Sequence, residues 1–273
     1  MVATPIGNLE DISSRALDSL ARADAIAAED TRVTARLLEH YHLHAKLMAV
    51  HEHNERRSAE RIIEELAQGK TIALVTDAGT PGIADPGALV VARARAAGFR
   101  VVPIPGPNAA VTALSAAGLP DSPFVFFGFL PPKAAARRKA LAELRGLPYT
   151  LVFYEAPHRV IESVGDLAAV LGADRTLVLA RELTKMFEEI HRGRLGDASS
   201  WLRENPDRQR GEFVLLVEGA PLSEPGAGWE PVLAALLEEM PLARAVKVAC
   251  RITGAKKNAV YERALALTGN NRP

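Results

Sequence analysis

Seven residues at the end of one apolar run have the composition of a ligand-binding loop. The run Thr71–Thr76 is rich in aliphatic and β-branched residues, which is typical of a buried strand, and Asp77 follows it directly. The next residues, Ala78–Ile83, include two glycines and one proline. Glycine lets another molecule approach the backbone, whereas proline fixes φ. Ligands of open α/β sheets lie at the carboxyl ends of strands, so the pattern predicts a rigid loop against a small ligand, with an ordinary strand-to-helix turn as the alternative.

Charged residues follow two further apolar runs. His158 and Arg159 come shortly after Thr150–Tyr154, and Lys185 comes shortly after Arg175–Ala180. The same strand-end rule favours a functional role for these side chains. A plain helix entry is the alternative for the first pair, and a salt-bridged surface is the alternative for the lysine.

Strand-like and helix-like segments alternate along the chain, which predicts an α/β fold with a largely parallel sheet. The strand-like runs are Thr71–Thr76, Arg100–Ile104, Thr150–Tyr154, Arg175–Ala180 and Glu212–Val217. The helix-like stretches are Arg56–Gln68, Pro86–Ala97, Arg137–Leu144 and Arg159–Leu171. Breaks rich in Pro and Gly at 118–133 and 218–231 predict two α/β domains, 1–118 and 119–220, and a helical extension at 229–273.

Composition excludes several classes of protein. Hydrophobic residues make up 48% of the 273 residues, but no apolar run approaches the ~18 residues of a membrane span. No secretory signal is visible at the amino terminus, so we expect a cytoplasmic protein. The single cysteine, Cys250, excludes an internal disulfide and a cysteine-cluster zinc site. Basic and acidic residues balance at 33 each, so any nucleic-acid site must be a local patch.

Very few residues precede the first predicted turn. Only Met1 to Ala3 precede the "TPIGN" turn, after which a helix is expected to begin near Asp11 or Ser13. Three residues are fewer than a strand usually contains. Either the true start lies upstream or the first strand is unusually brief.

Eight ordered blocks together carry a family resemblance. They are "VATPIGNLEDI", "AAEDTR", "TDAGTPGIADPG", "PGPNA", "GFLPPK", "FYEAPHR", "ARELTKMFEE" and "GEFVLLVEG". In this order they resemble the ribosomal RNA small subunit methyltransferase I family within the tetrapyrrole-methylase fold. The resemblance implies two α/β domains with S-adenosylmethionine in the cleft between them, a homodimer, and methylation of the ribose 2′-hydroxyl of a cytidine in 16S rRNA. The dinucleotide fingerprint and the P-loop are missing, which disfavours NAD and ATP.

The resemblance also assigns the opening loop to the cofactor, whose close approach needs an uncovered backbone at Gly79. The cofactor-binding residues that it implies are Pro5, Gly7, Asp77, Ala78, Gly79, Thr80, Ile83, Ala84, Ala109, Phe153, Tyr154 and Ala180. Methyl transfer to a ribose hydroxyl needs an aligned nucleophile and either a proton acceptor or a nearby cation. The candidates are Asp30, Lys133, Glu155, His158, Arg159 and Lys185. Asp30 is preferred to Glu29, although Asp30 could simply cap a helix.

RNA contacts are expected at a basic helix. The segment Lys133–Arg145 has five basic residues and one acidic residue, and phosphate contacts suit such a patch. The predicted RNA-binding residues are Arg32, Arg137, Arg138 and Lys139. A solvated helix face is the alternative.

The tail predicts two helices around a turn at Gly254, with Val246, Ala249, Val260 and Ala264 packed together. A helix-turn-helix could enter a nucleic-acid groove, but two helices that close a domain or a dimer explain the pattern equally well.

The sequence offers one metal hypothesis. Its five clustered histidines could hold a metal ion, and "HYHLH" on a strand would put three rings on one face. No carboxylate has a recognisable zinc spacing, and the resemblance implies no metal.

Two other functions stay open beside the RNA methyltransferase. One is methylation of a tetrapyrrole or another small acceptor on the same fold, because a fold does not fix the substrate. The other is a non-catalytic nucleic-acid-binding factor in ribosome assembly. The intact "DAGTPGIADPG" loop disfavours the second, since a binding module has no need of it.

Overall fold

The computed structural model describes residues 1–51, 53–120, 123–221 and 229–269. Half of the predicted break at 218–231 and two residues of the break at 118–133 lie outside these ranges. The chain divides into two compact units, Met1–Ala220 and Pro221–Pro273. Within the first unit, one sheet is built from residues 25–75 and another from residues 124–217. The predicted domain boundary between 118 and 119 stays a prediction.

The elements follow the predicted alternation closely. The strands are β1 (Ala25–Ala28), β2 (Lys46–Ala49), β3 (Ile72–Val75), β4 (Phe124–Phe129), β5 (Thr150–Glu155), β6 (Thr176–Arg181), β7 (Glu189–Arg194) and β8 (Phe213–Val217). The helices of the first unit are α1 (Ser14–Ala21), α2 (Thr31–His40), α3 (Glu55–Ala67), α4 (Ala88–Ala96), α5 (Ala109–Ala116), α6 (Ala134–Leu144), α7 (Val160–Leu171) and α8 (Ala198–Glu204). The mixed α/β class is therefore confirmed.

The first sheet is parallel and has the order β2-β1-β3. All four residues of β1 are apolar and buried, as expected for a central strand that is covered on both faces. Helices follow β1, β2 and β3 in the chain, as parallel pairing requires.

The amino terminus extends this sheet by isolated bridges. The backbone N–H of Val2 donates to the Leu74 carbonyl at 2.9 Å, and Val2 forms a parallel bridge with Ile104. The short segment at the amino terminus therefore pairs with its neighbours by isolated bridges and does not form a regular strand. The prediction of a strand at Arg100–Ile104 is wrong, because its partner segment at Val2 is too short to form a ladder.

The second sheet has the order β4-β5-β8-β6-β7 and is mixed. Only the pair β4 and β5 is parallel, whereas β8 runs antiparallel to both β5 and β6, and β7 runs antiparallel to β6. The expectation of a largely parallel sheet is therefore wrong here. A seven-residue connection at 182–188 joins β6 to β7, and so short a link permits only antiparallel pairing.

Alternate residues of β5 face two different helical layers. Leu151 and Phe153 pack against Val164 and Leu167 of α7. Val152 and Tyr154 face the opposite layer, which contains α5. This alternation decides which side chains of β5 can reach a ligand.

The second unit contains three helices, α9 (Trp229–Glu239), α10 (Leu242–Thr253) and α11 (Lys257–Leu267). Val246, Ala249, Val260 and Ala264 belong to one buried cluster, so the predicted packing is confirmed. Gly254 ends α10 with a φ of 70°, the left-handed conformation that favours glycine. Across the described ranges, no helix is long and apolar enough to span a membrane.

Candidate functional site

A cleft of about 340 Å³ lies at the carboxyl ends of β3, β5 and β6. This volume is within the range of small-molecule sites. The loop after β3 forms one wall, and the starts of α5 and β8 and the 155–157 segment form the others. Of the predicted cofactor-binding residues, Ala78, Gly79, Thr80, Ile83, Ala84, Ala109, Tyr154 and Ala180 line this first cleft.

The loop after β3 is held in an unusual backbone conformation. Gly79 and Gly82 have φ values of 87° and 80°, and Ala84 has a φ of 65° although it is not a glycine. Gly79 also exchanges backbone hydrogen bonds with Thr4, and Thr80 donates its hydroxyl to the Pro107 carbonyl at 3.1 Å. Backbone strain of this kind persists where surrounding contacts hold it, often at functional sites. These hydrogen bonds tie the loop to the amino terminus and to the segment before α5.

Asp85 presents a carboxyl group to the first cleft. Its partial burial, together with the negative charge of Glu29, raises its pKa to about 6, whereas a hydrogen bond from Thr76 acts in the opposite direction. In this structure the single hydroxyl proton of Thr76 is directed to Glu29 Oε2, at 2.7 Å. Asp85 therefore ionises in the range that suits proton transfer near neutral pH.

Asp30 has a different environment from Asp85. It caps α2, because its carboxylate accepts the Arg32 N–H at 2.8 Å, and it also accepts hydrogen bonds from the Arg32 guanidinium. These hydrogen bonds lower the pKa of Asp30 to about 2. A carboxylate of such low basicity is a poor proton acceptor. The structure supports the capping alternative and does not support Asp30 as the base.

A second cleft of about 420 Å³ adjoins the first, and Ile6, Ala78 and Glu212 line both. Pro5, Gly7 and Asp77, which were predicted to bind the cofactor, line only this second cleft, and so does Lys185. Burial raises the pKa of Asp77. Lys185 is partly desolvated, but hydrogen bonds to Glu182 and Glu212 outweigh that effect and raise its pKa.

Another cavity, also about 420 Å³, lies at the opposite end of the first sheet. Gly69, Lys70 and Thr71 at the amino end of β3 line it, together with aliphatic side chains. Ligands of α/β sheets lie at the carboxyl ends of strands, so this cavity is not the functional site.

Glu155 supports the fold beneath the first cleft. Its side chain is fully buried and accepts the Ser163 hydroxyl at 2.5 Å and the Ala156 N–H at 2.9 Å. Arg159 lies 3.3 Å from Glu155 and donates to the Leu130 carbonyl at 2.6 Å. These contacts occupy both carboxylate oxygens of Glu155, whereas Arg159 Nε is buried without a hydrogen-bond partner. The catalytic roles of the two residues stay predictions.

Arg137 is also part of the interior. Its side chain is 2% exposed and pairs with Asp166 at 2.7 Å, which joins α6 to α7. Arg138 pairs with the same carboxylate at 2.6 Å, whereas Lys139 is exposed. The prediction that Arg137 contacts RNA is wrong, because a buried, paired guanidinium cannot reach a phosphate.

Three further predicted residues are not among those that line the two clefts, although His158 directly follows Pro157, which lines the first. Lys133 and His158 are exposed and, among the described residues, are not part of either lining. Phe153, which was predicted to bind the cofactor, is fully buried against α7 and lines neither cleft.

The histidines do not form the predicted strand face, because His40 ends α2 and His42 has a φ of 54°. Across the described ranges, no group of three or more His, Cys, Asp or Glu residues is arranged to hold a metal ion.

Sequence reasoning missed Asp85, although it lies in one of the quoted blocks. The available signal was a carboxylate between Ala84 and Pro86, inside a loop already assigned to a ligand. The stronger strand-end signal was in "AEDTR", where Glu29 and Asp30 are the first two residues after β1.

Comparisons with known proteins agree with this architecture. Residues 1–199 match the family described as Tetrapyrrole (Corrin/Porphyrin) Methylases, and residues 224–268 match the RsmI C-terminal HTH domain. Among solved structures, the methyltransferase CobJ aligns with a TM-score of 0.59 at 21% identity, over 81% of this chain and 93% of CobJ. Diphthine synthase aligns with a TM-score of 0.60 at 16% identity, over 81% of this chain and 90% of that protein. These two likenesses show the fold alone.

Curated relatives are much more similar. Ribosomal RNA small subunit methyltransferase I from Escherichia coli O157:H7 is 51% identical, over 98% of this chain and 95% of the relative. The protein of the same name from Pseudomonas aeruginosa is 50% identical, over 99% of this chain and 98% of the relative. The chain therefore belongs to the tetrapyrrole methylase family and, within it, to the ribosomal RNA small subunit methyltransferase I enzymes.

Proposed function

We propose that this methyltransferase takes its methyl group from S-adenosylmethionine and transfers it to the ribose 2′-hydroxyl of a cytidine in 16S rRNA. The observation that carries the proposal is the near-complete match to two relatives named for the small ribosomal subunit, at about half identity. The rigid loop after β3 supports it, because the loop presents bare backbone to a cleft of ligand size.

The residues of the first cleft fit S-adenosylmethionine chemically. Ile6, Ile83 and Leu183 offer apolar surface for a purine ring, and Gly79 offers uncovered backbone. When bound, S-adenosylmethionine supplies an electrophilic methyl group on a sulfonium sulfur.

The junction of the two clefts suits the transfer. Ala78 lines both clefts, Asp77 lines the second and Asp85 lines the first. A donor in one cleft and an acceptor in the other would meet at Ala78, and such positioning lowers a reaction barrier substantially. We assign proton acceptance from the ribose hydroxyl to Asp85, because it lies close enough to Asp77, which lines the second cleft, for that charge to help raise its pKa, and a pKa of about 6 keeps it ionised at neutral pH.

The proposal extends to assembly and location. We propose that the enzyme acts as a homodimer in the cytoplasm, on rRNA of the small subunit. Sedimentation of the purified protein checks the first part, since a mass near 29.3 kDa would contradict a dimer.

Transfer of labelled methyl groups tests the activity. Purified small ribosomal subunits, free 16S rRNA and a tetrapyrrole serve as parallel acceptors, and nuclease digestion with mass spectrometry maps the product. Label on the ribose of one cytidine is the expected result. Label on the tetrapyrrole alone would favour the small-acceptor alternative, and label on a base would refute the 2′-hydroxyl assignment.

A further inference from the structure

The second cleft combines apolar walls with a cation at its rim. Pro5, Leu9, Val33 and Leu37 form apolar walls, and Arg36 contributes a guanidinium group. Such a surface suits a planar base next to a phosphate better than it suits a charged peptide or a lipid chain.

The connection 182–188 borders this cleft and is held rigidly. Glu182 and Thr184 have φ values of 52° and 65°, which are uncommon for residues other than glycine. The Thr184 N–H donates to Glu188 Oε2 at 2.6 Å. Lys185 donates to Glu182 at 2.8 Å and to Glu212 at 3.1 Å. Surrounding contacts therefore fix the 182–188 loop in one shape.

The same loop packs tightly against the turn that lines the cleft. A Cβ at Gly7 would lie 2.5 Å from Lys185 Cγ and 2.9 Å from the Leu183 carbonyl oxygen. Only glycine permits this approach, which sets the loop at the mouth of the second cleft.

The tip of the 182–188 loop is apolar and exposed. Met186 is 90% exposed and Phe187 is 67% exposed, directly after Lys185, which lines the cleft. An aromatic face in water beside a cleft is the surface on which single-stranded RNA bases stack. Its fixed backbone means that little ordering is lost on binding.

Two cations and two acids line the second cleft, but one of the cations is unpaired. Arg36 has no ion-pair partner among the residues that the structure describes, whereas Arg32, one turn earlier on α2, pairs with Asp30 at 2.6 Å. Lys185 is already neutralised by Glu182 and Glu212. The cation available to a phosphate is therefore Arg36 on α2, which is a different element from the 182–188 loop that carries Phe187.

We propose that the second cleft holds the acceptor ribonucleotide, with Arg36 at its phosphate, and that Phe187 stacks on a base of the same single-stranded segment. This inference rests on the proposed function, because it places the substrate of that reaction. It adds Arg36 and Phe187 to the residues that the sequence predicts to contact RNA.

A series at Phe187 tests the stacking. Phe187→Ala is expected to raise KM for small ribosomal subunits by about tenfold or more, because a stacked base typically contributes that much binding. Phe187→Tyr should restore the wild-type KM, whereas Phe187→Leu should behave like the alanine variant because it lacks a π-face. Affinity for S-adenosylmethionine should stay unchanged in all three. Phe124→Ala is the matched control, since Phe124 is an exposed phenylalanine that lines neither cleft.

The outcomes separate this inference from the proposed function. A wild-type enzyme that methylates no RNA would overturn both. A wild-type enzyme that methylates RNA, with an unchanged KM in Phe187→Ala or a normal KM in Phe187→Leu, would overturn the stacking alone. A change of molecular mass in Phe187→Ala by light scattering would assign the tip to a contact between two copies of the chain and would also overturn it.

A steric block tests the cleft itself. Val33→Trp places a large ring in the second cleft and is expected to raise KM for the subunits more than tenfold, without changing affinity for S-adenosylmethionine. Ala35→Trp, on the same helix but outside the lining, is the control and should methylate normally. Normal KM in Val33→Trp, with the variant folded as judged by its melting temperature, would remove the acceptor from this cleft.

Discussion

The loops after β3 and β5 each bring an acid to the carboxyl ends of buried strands, yet the two carboxylates lie in different environments. After β3, Asp85 faces the first cleft and has a raised pKa. After β5, Glu155 is enclosed by hydrogen bonds from Ser163 and Ala156. The comparison teaches that strand-end position brings an acid near a site, and that its hydrogen-bond partners decide whether it can act there.

The largest effect is expected at Glu155, and it concerns stability. Glu155→Ala leaves Arg159 and Ser163 without their partner in a buried position, so the free energy of unfolding should fall by about 3–5 kcal/mol. Chemical denaturation measures it. Glu162→Ala, at an exposed acid 3.6 Å from Arg137, should cost about 1 kcal/mol or less. A Glu155→Ala variant that is stable but inactive would show that Glu155 acts in catalysis, and the contrast between Asp85 and Glu155 would then be wrong.

Asp85 should control the pH dependence of the reaction. The wild-type rate is expected to rise with pH through about 6, because Asp85 must be ionised to accept a proton. Asp85→Asn should lower kcat by about 100-fold or more and remove that limb of the profile. An unchanged pH profile in the variant, with S-adenosylmethionine affinity reduced instead, would make Asp85 a cofactor ligand.

Stability gives an independent readout at Asp85, with the opposite sign from an ion-paired acid. Its folded pKa lies above the ordinary value of 3.8, so the folded state holds the proton more tightly than the unfolded state. The wild type should therefore lose stability relative to Asp85→Asn as the pH rises from about 4 to about 6, and the difference should vanish at lower pH. Denaturation midpoints across this range would measure it.

Gly79→Val should weaken the cofactor site. A β-branched residue at a φ of 87° is strained, and its Cβ would lie 3.4 Å from Ile6 Cγ2. Strain of about 1–3 kcal/mol predicts a loss of S-adenosylmethionine affinity of about tenfold or more by calorimetry. Gly69→Val is the matched control, because Gly69 has a φ of 82° with open space around it and lies far from the cleft. Equal loss of cofactor affinity in both variants would mean that the loop does not touch the cofactor.

The smallest effect is expected on the basic helix α6. Lys139 is exposed, whereas Arg137 is enclosed by Asp166, so only the lysine is available to a phosphate. Lys139→Ala should weaken RNA binding a few-fold and reduce the slope of affinity against salt by about 0.7. An unchanged salt slope would leave α6 with a purely structural role.

Much of the fold was predictable because its signals are local. Apolar runs located β3, β5, β6 and β8 to within about one residue, and helix periodicity located α3 and α7 equally well. Two glycines and a proline marked the rigid loop after β3, since the φ that they permit is a property of each residue itself. Eight ordered blocks were enough to identify the family.

The tertiary structure decided the rest, because burial and pKa depend on partners that are distant in sequence. The sequence predicted that Arg137 contacts RNA, but in the structure it is buried and paired with Asp166, which is 29 residues away in the chain. Phe153 and Tyr154 are adjacent, but only the packing of helices on the second sheet shows which of them faces the cleft. Asp30 and Asp85 are both acids near strand ends, and their pKa values of about 2 and about 6 arise from Arg32 in one case and from burial beside Glu29 in the other. The sequence alone determined the position of the Gly- and Pro-containing loop after β3. Only the folded chain determined which charged side chains near that loop are unpaired and can therefore contact a ligand.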